Sequence, residues 1–248
     1  MKTDISILPH ERVDDLHRKG YRIIQDPKRF CFGADAVLLS GFAKVKTGER
    51  VLDLGSGTGI IPILLAARYP VGEVIGLEIQ AESVEMANRS VALNALENVV
   101  QIIEGDIKTA AERFGGATFD VVTTNPPYMN EGGGLLNPYN PKAIARHELL
   151  CSLEDIIANS AKVLKPNGRF YMIHRPHRLT DILVLLRQYH LEPKMLRMVH
   201  PFMDKAPAMV LIEAVRGGKP MLKVASPLVI YDAPNVYTEE IQQIYYGE

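Results

Sequence analysis

The tetrapeptide Asn125-Pro126-Pro127-Tyr128 carries the most specific chemistry in the chain. Each proline lacks an N–H and holds the residue before it in an extended conformation, so the backbone carbonyls here are fixed in direction. The Asn125 side chain and the Pro126 carbonyl can each accept one N–H of an exocyclic amino group, and Tyr128 can stack on the attached ring. Both bonds concentrate the lone pair on the amino nitrogen. The tetrapeptide therefore predicts positioning and electrostatic activation of a planar amine, without a strong general base.

A glycine-rich turn, DLGSGTG, follows an apolar segment; its residues of interest are Asp53, Gly55, Gly57 and Gly59. Glycines let the backbone turn tightly and let a ligand approach it, and a helix that begins after the turn offers free N–H groups. Glu78 ends the next apolar segment, where a carboxylate can accept hydrogen bonds from both hydroxyls of a ribose. The spacing is not the dinucleotide pattern GxGxxG, and Asp53 would repel a pyrophosphate. We therefore expect an adenosine ligand whose other end is zwitterionic.

Alternating strands and helices must position these residues. Apolar runs predict strands at 50–54, 73–78, 99–104, 119–123, 169–174, 195–200 and 208–215. Helical spacing occurs at 60–69, 81–95, 149–164 and 179–189. This order predicts a doubly wound, mostly parallel sheet of seven strands, in which the last two strands pair antiparallel at one edge because no helix separates them. Since parallel strands share a carboxyl edge, the glycine turn, Glu78 and Asn125 would meet there.

The glycine turn with its later acidic residue resembles motifs I and II of the S-adenosylmethionine-dependent methyltransferases with a Rossmann-like class I fold. The tetrapeptide at Asn125 resembles motif IV of the amino-group methyltransferases among them. The resemblance implies that S-adenosylmethionine is the cofactor, that S-adenosylhomocysteine is the product, and that the reaction is an N-methyl transfer. It also implies that Asp106 and Ile107, which follow the third strand, contact the adenine of the cofactor. For the acidic residues, a role as strand-end caps is the alternative.

Nearly the whole chain is similar to the bacterial tRNA(Val) adenine N6-methyltransferases, which modify the adenine immediately 3′ of the anticodon. The segments IIQ, FCFGADAVLL, VLDLGSGTGIIPILLA, NPPY and ARHE occur in the order of that family, and the tail PLVIYDAPNVYTEEI resembles a Gram-positive-type branch. The resemblance implies that Phe32, Gly33 and Asp35 border the methionine end of the cofactor. It also implies that Arg146 and His147 lie by the catalytic loop, with a helix start bearing solvated charges as the alternative.

The same resemblance indicates one methyltransferase domain, composed of an N-terminal extension at 1–47, a core at 48–216 and a tail at 217–248. The composition, 47% hydrophobic and 23% charged, is typical of a globular protein. Only two cysteines and no apolar run long enough to span a bilayer lead us to expect a cytoplasmic protein without a membrane partner. We expect no metal.

Charge is distributed unevenly along the chain. The whole chain has 28 basic and 29 acidic side chains, but residues 162–223 hold twelve Lys or Arg against four Asp or Glu, a net charge of +8 that leaves −9 for the remainder. Arg175 and Arg178 follow the fifth predicted strand, on the edge that carries Asn125. We therefore expect tRNA to contact a basic face in 162–223. A solvated face neutralised by nearby acids is the alternative.

Other functions remain as alternatives. A glutamine-amide N5 or rRNA amino methyltransferase would use the same tetrapeptide, although the release-factor enzymes usually carry an N-terminal helical domain for which this chain has little room. A nicotinamide-dependent oxidoreductase is disfavoured by the missing GxGxxG and by the tetrapeptide itself. A catalytically silent RNA-binding module would not depend on Asn125.

Overall fold

The computed structural model describes residues 5–29, 31–127 and 151–247. The chain begins with a two-stranded antiparallel hairpin, β1 (Arg12–Asp15) and β2 (Arg22–Gln25), followed by helix α1 (Ala34–Phe42). The backbone N–H of Ile24 donates to Ser90 Oγ at 2.9 Å, so the hairpin is held against a helix of the core.

The core alternates strands and helices as predicted. Its elements are β3 (Arg50–Leu54), α2 (Ile60–Arg68), β4 (Glu73–Glu78), α3 (Ala81–Leu93), β5 (Val100–Glu104), α4 (Ala110–Phe114), β6 (Phe119–Thr124), α5 (Leu153–Val163), β7 (Leu164–His174), α6 (Leu179–Gln188), β8 (Leu191–His200) and β9 (Met209–Arg216). The tail contributes β10 (Lys223–Val224), β11 (Leu228–Val229), β12 (Tyr231–Ala233), β13 (Val236–Tyr237) and α7 (Glu239–Tyr246).

The central sheet has the order β5-β4-β3-β6-β7-β9-β8, so the predicted doubly wound, mostly parallel sheet is confirmed. The last two core strands, β8 and β9, pair antiparallel, as predicted. Two details differ from the prediction. The strand that runs against its neighbours is β9, which lies between β7 and β8 rather than at the edge, because the short 201–208 loop returns the chain into the gap between them. In addition, β10 and β11 pair in parallel with the outer side of β8, which brings the sheet to nine strands among the described residues.

Alternate side chains of each strand face opposite sides of the sheet, and each side has its own buried core. On one side Val51, Tyr171 and Ile173 pack with residues of α1, α2, α3 and α7. On the other side Leu52 and Phe170 pack with residues of α4, α5 and α6. The sheet is therefore covered on both faces, and its carboxyl edge is where loops can form a site.

No helix in the described ranges is long and apolar enough to cross a membrane. The division of the chain at residues 47 and 216 stays a prediction.

Candidate active site

Asp53 lies at the end of β3 with its carboxylate inside the fold, only 1% exposed. Thr123 Oγ1 donates to Asp53 Oδ1 and Ser56 Oγ donates to Oδ2, both at 2.6 Å. Burial raises the pKa of Asp53 to about 6, the two hydroxyl donors oppose that rise, and the charge of Glu78 adds to it. The buried Asp53 carboxylate therefore supports the turn from inside the fold and does not lie at the surface of the site.

The glycine turn needs backbone conformations that favour glycine. Gly55, Gly57 and Gly59 have φ values of +74°, +51° and +79°. The N–H groups of Gly55 and Ser56 donate to Leu77 O at 2.8 and 3.2 Å, which fastens the turn to the end of β4. A Cβ at Gly57 would meet no atom within 4 Å, so the backbone is open to a ligand there.

Glu78 at the end of β4 faces this turn. Its Oε2 accepts the Gly57 N–H and its Oε1 accepts the Gln80 N–H, each at 2.9 Å. Because each carboxylate oxygen has a second lone pair, these bonds orient Glu78 and still leave acceptors for ribose hydroxyls. The predicted neighbourhood of the glycine turn and Glu78 is present.

Asp106 caps a short 3-10 helix, Ile107–Thr109, directly after β5. Its Oδ1 accepts the Lys108 N–H at 2.9 Å. Asp106 therefore has the cap role that the sequence left as an alternative, and its second oxygen is not used by that cap. Ile107 reaches the glycine turn, because its Cδ1 lies 4.0 Å from the place that a Cβ at Gly55 would occupy.

Helices α1 and α2 meet at their C-terminal ends. Tyr69 Oη donates to Ala43 O at 2.9 Å and Arg68 Nε donates to Ser40 Oγ at 3.3 Å. The position of Phe32, Gly33 and Asp35 beside the methionine end of the cofactor stays a prediction. The Phe32 N–H donates to Gln25 Oε1 at 2.9 Å, and Asp35 Oδ1 accepts the Ala36 N–H at 2.9 Å.

Asn125 directly follows β6, whose last residue Thr124 pairs with Leu54 of β3. Thr124 Oγ1 also donates to Leu54 O at 3.0 Å. Asn125 is half-buried, Pro126 buried and Pro127 exposed. Since neighbouring strands are about 4.8 Å apart, the tetrapeptide begins beside the glycine turn. Three predicted site residues, Tyr128, Arg146 and His147, lie outside the described residues.

Fewer cations of the basic span 162–223 are available to contact RNA than its net charge predicts. Among the described residues, six of its twelve cations pair with carboxylates: Lys165 with Asp120, Arg169 with Glu49, Arg178 with Asp181, Arg187 with Glu192, Arg197 with Glu240, and Lys205 with Asp204. Three of these acids belong to other parts of the chain, which is the neutralisation that the sequence left as an alternative.

The span also divides between the two edges of the sheet. Lys165, Arg169 and Lys194 lie in the first halves of β7 and β8, and Arg216 ends the antiparallel β9, so these residues are toward the edge opposite Asn125. Arg175 and Arg178 follow β7 at the carboxyl edge, as predicted. The Arg175 guanidinium donates to Ala208 O at 3.0 Å.

The hydroxyls of Ser56, Thr123 and Thr124 were missed by the sequence reasoning. They tie β3, its turn and β6 together beneath the site. Thr123 and Thr124 are two consecutive buried hydroxyls that end an otherwise apolar strand, a signal that could have identified them. The Thr58 hydroxyl is also buried within the turn, and it has no hydrogen-bond partner in the described part of the chain. An orphan hydroxyl, open glycine backbone and an oriented carboxylate together fit a polar adenosine ligand.

Comparisons with known proteins agree with this geometry. A family model described as methyltransferase small domain matches residues 28–189. The tRNA1(Val) (adenine(37)-N6)-methyltransferase of Porphyromonas gingivalis is 32% identical over 187 residues, which are 73% of this chain and 72% of that protein. The protein of the same name from Aeromonas hydrophila is 27% identical over 227 residues, 91% of this chain and 93% of that protein.

Solved structures share the fold. A predicted O-methyltransferase from Agrobacterium tumefaciens has a TM-score of 0.70 at 23% identity, covering 86% of this chain and 96% of that one. Geranyl diphosphate C-methyltransferase from Streptomyces coelicolor, solved with S-adenosyl-L-homocysteine, has a TM-score of 0.53 at 14% identity, covering 74% and 75%. The expected Rossmann-like class I fold is confirmed. The chain belongs to the methyltransferase small-domain family and to the tRNA1(Val) (adenine(37)-N6)-methyltransferases.

Proposed function

We propose that this protein transfers a methyl group from S-adenosylmethionine to the N6 amino group of an adenine in the anticodon loop of tRNA, the adenine 3′ of the anticodon of a tRNA(Val)-type substrate. One observation carries the proposal. Strand β6, which is directly followed by Asn125, is paired with strand β3, which leads into the glycine turn. A planar amine held by Asn125 would therefore lie beside the cofactor site. The names of the related proteins support the choice of acceptor.

The turn formed by Gly55, Gly57 and Gly59 would hold the cofactor, with Glu78 on the ribose hydroxyls and Asp106 and Ile107 at the adenine. Asp53 would act from below, through Ser56 and the turn. Phe32, Gly33 and Asp35 would border the methionine end. S-adenosylmethionine supplies an electrophilic methyl group when bound and leaves as S-adenosylhomocysteine.

Asn125 and Pro126 would hold the acceptor amine. The Asn125 amide oxygen and the Pro126 carbonyl each accept one N–H, which keeps the nitrogen lone pair directed at the methyl carbon. Pro127 fixes the extended conformation of Pro126, and Tyr128 stacks on the base. The proton leaves after methylation has made the nitrogen cationic, so orientation and electrostatics carry the rate.

A loop base suits this site because it is already partly unstacked, which lowers the energy needed to flip it. Arg175 and Arg178, which follow β7 at the carboxyl edge, would contact the tRNA backbone together with Arg146 and His147. Because six cations of 162–223 pair with carboxylates among the described residues, Arg178 included, the contact would be narrower than the whole span. The extension 1–47, core 48–216 and tail 217–248 would work as one domain in the cytoplasm, where tRNA is modified.

Asn125→Ala tests the proposal. Loss of one hydrogen bond that acts on the amine should lower transfer to tRNA by about a hundredfold or more, while affinity for S-adenosylmethionine stays within about twofold. The measurement is transfer of labelled methyl to total tRNA and, in a parallel reaction, to release factors, followed by nucleoside mass analysis of the tRNA. Cofactor binding is measured by calorimetry.

Three results would contradict the proposal. Label in release factors would indicate a glutamine-amide enzyme, N2-methylguanosine would indicate another base, and unchanged turnover in Asn125→Ala would remove Asn125 from the mechanism.

A further inference from the structure

Aromatic rings from the tail and from the 201–208 loop form a stack that the proposed reaction does not use. The rings of Phe202 and Tyr231 have centroids 5.5 Å apart at 34°. Tyr231 stacks on Tyr237 at 5.2 Å and 15°, and Tyr237 stacks on Tyr245 at 5.3 Å and 15°. Because rings behind it hold Tyr231 in place, the Phe202–Tyr231 end is preorganised.

This end of the stack lies at the carboxyl edge of the sheet. Val229 of β11 pairs with His200, the last residue of β8, and the Tyr231 N–H donates to Pro201 O at 3.0 Å. Strands β6 and β8 point the same way, because β6 is parallel to β7 and both β7 and β8 are antiparallel to β9. The stack therefore lies on the edge that carries Asn125, on the side away from the glycine turn.

A pocket of about 360 Å³ opens beside Phe202 and Tyr231. Its lining consists of Phe202, Met203, Asp204, Val229, Tyr231 and Asp232. The two rings and Val229 are half-buried, whereas Met203 and the two carboxylates are exposed. A flat, mostly apolar group with hydrogen-bond donors along one side matches these walls.

The charges around the pocket favour a nucleobase over a phosphate as the bound group. Lys205 Nζ lies 3.2 Å from Asp204 Oδ2 and offsets that charge, so Asp232 is the carboxylate that would repel a phosphate. Both carboxylates can accept the amino N–H groups that nucleobases present. Stacking on aromatic rings is how proteins commonly hold unpaired bases, at about 1–3 kcal/mol for each base. We propose that this pocket binds one unpaired nucleobase of the RNA substrate, stacked beside Phe202 and Tyr231, with its donor edge toward Asp204 or Asp232.

The position of the pocket limits how far the bound base can lie from the methylated adenine. Strands β6 and β8 are three strand spacings apart, about 14 Å. A single strand covers that distance in about four nucleotides at the stacked rise of about 3.4 Å, and in fewer when it is extended. We therefore expect the base in the pocket to lie within a few nucleotides of the methylated adenine. The pocket adds substrate affinity and register, and the chemistry stays at Asn125.

This inference rests on the proposed function, and one binding experiment tests it. The probes are an anticodon stem-loop RNA and a set of the same RNA with one loop base removed at a time. Their affinities for the full chain are measured by fluorescence anisotropy, with S-adenosylhomocysteine present. Phe202→Ala should weaken binding of the intact RNA by about 5- to 100-fold, and Phe202→Tyr should restore it.

The scan of base-free RNAs identifies the base. At one loop position, removal of the base should weaken binding to the unaltered protein about as much as Phe202→Ala weakens binding of the intact RNA. Removal of the same base should not weaken binding to Phe202→Ala any further. Met221→Ala, which truncates an exposed methionine that does not line the pocket, should alter affinity by less than about threefold. Asp204→Asn and Asp232→Asn should change which base is preferred at that position.

Failure of this inference and failure of the proposed function give different results. If the unaltered protein methylates the RNA but every base deletion costs the same in Phe202→Ala as in the unaltered protein, the pocket holds no base and the inference is wrong. The same conclusion follows if the Asn variants tighten binding of the fully base-free loop, because that result would indicate a phosphate in the pocket. If the unaltered protein neither binds nor methylates the stem-loop, the proposed function and this inference are both wrong.

Discussion

Asp53 illustrates how a single residue can serve a site without lying at its surface. Both of its oxygens accept hydroxyl hydrogens, from Ser56 in the turn and from Thr123 in β6. Deprotonation makes these bonds charge-assisted, which holds the turn and the strand before Asn125 in fixed positions. The cost is a buried charge, which is why burial raises the pKa of Asp53 to about 6.

Comparison with Asp53→Asn should reveal how the buried charge of Asp53 makes the free energy of unfolding depend on pH. The ordinary pKa of 3.8 applies to the unfolded chain and about 6 to the folded one, so between these values the folded state binds more protons. The free energy of unfolding should therefore fall as pH rises from about 4 to 6, by up to about 3 kcal/mol relative to Asp53→Asn, and the difference should then stay constant above pH 6. Urea unfolding at a series of pH values measures it. Parallel curves for the two proteins would show that the folded pKa of Asp53 is not raised.

At the scale of elements, turns and breaks between elements could be predicted from the sequence, but the register between paired strands could not. Glycines at positive φ and prolines after a strand act within a few residues, so the turn at Gly55 and the break at Asn125 could be predicted from composition and spacing. The hydroxyl contacts depend on register: Thr123 meets Asp53 only because β6 pairs in parallel with β3 at that offset. Nothing in the order of residues fixes an offset between strands that are so far apart in the chain.

Gly76 in β4 provides a test of how the strands support the turn. A Cβ there would clash with Ser56 Oγ and would lie 2.5 Å from Ile102 Cδ1. Gly76→Ala should therefore displace Ser56 from Asp53, lower the free energy of unfolding by about 1–3 kcal/mol and weaken S-adenosylmethionine binding severalfold. Calorimetric titration and urea unfolding give the two values.

Gly116→Ala is the matched control, because its Cβ would make an ordinary contact with Lys162 O at 3.5 Å. The control should leave cofactor affinity unchanged. Equal losses of affinity in both variants would show that crowding of Ser56 is not the cause.

At the scale of the whole molecule, net charge was a poor guide to the interaction surface. The twelve cations of 162–223 belong to one stretch of sequence, but strands that cross the sheet carry them to both edges. Partners such as Glu49 and Glu240 come from distant parts of the chain, so the neutralisation could not be seen along the sequence. The aromatic stack was hidden for the same reason, because Phe202 and Tyr231 become neighbours only when the tail adds β11 to the sheet.

The tail also closes the molecule through α7, which packs on α1. Arg68 Nη2 donates to Ile244 O and Arg18 Nη2 donates to Gln243 O, both at 2.6 Å, so the tail joins the core and the N-terminal extension. Arg68 is half-buried, and this burial lowers its pKa to about 10. Ile241 of the same helix is fully buried.

Truncation after Thr238 should therefore destabilise the protein, and the contact of Arg68 with Ile244 can be separated from the other losses, which include the Arg18–Gln243 bond, the Arg197–Glu240 pair and the Tyr245 ring. Loss of Ile241 burial should cost about 1.5–3 kcal/mol, and an Arg68 guanidinium deprived of its carbonyl acceptor should cost about as much again. Arg68→Met keeps the apolar stem without the charge, so the truncation should cost about 1–3 kcal/mol less in that background. Urea unfolding of the unaltered protein, each single change and their combination gives this difference, and truncation after Tyr246, which keeps the Ile244 carbonyl, is the control. If the truncation costs the same in the Arg68→Met background as in the unaltered protein, the carbonyl of Ile244 does not stabilise the charge of Arg68.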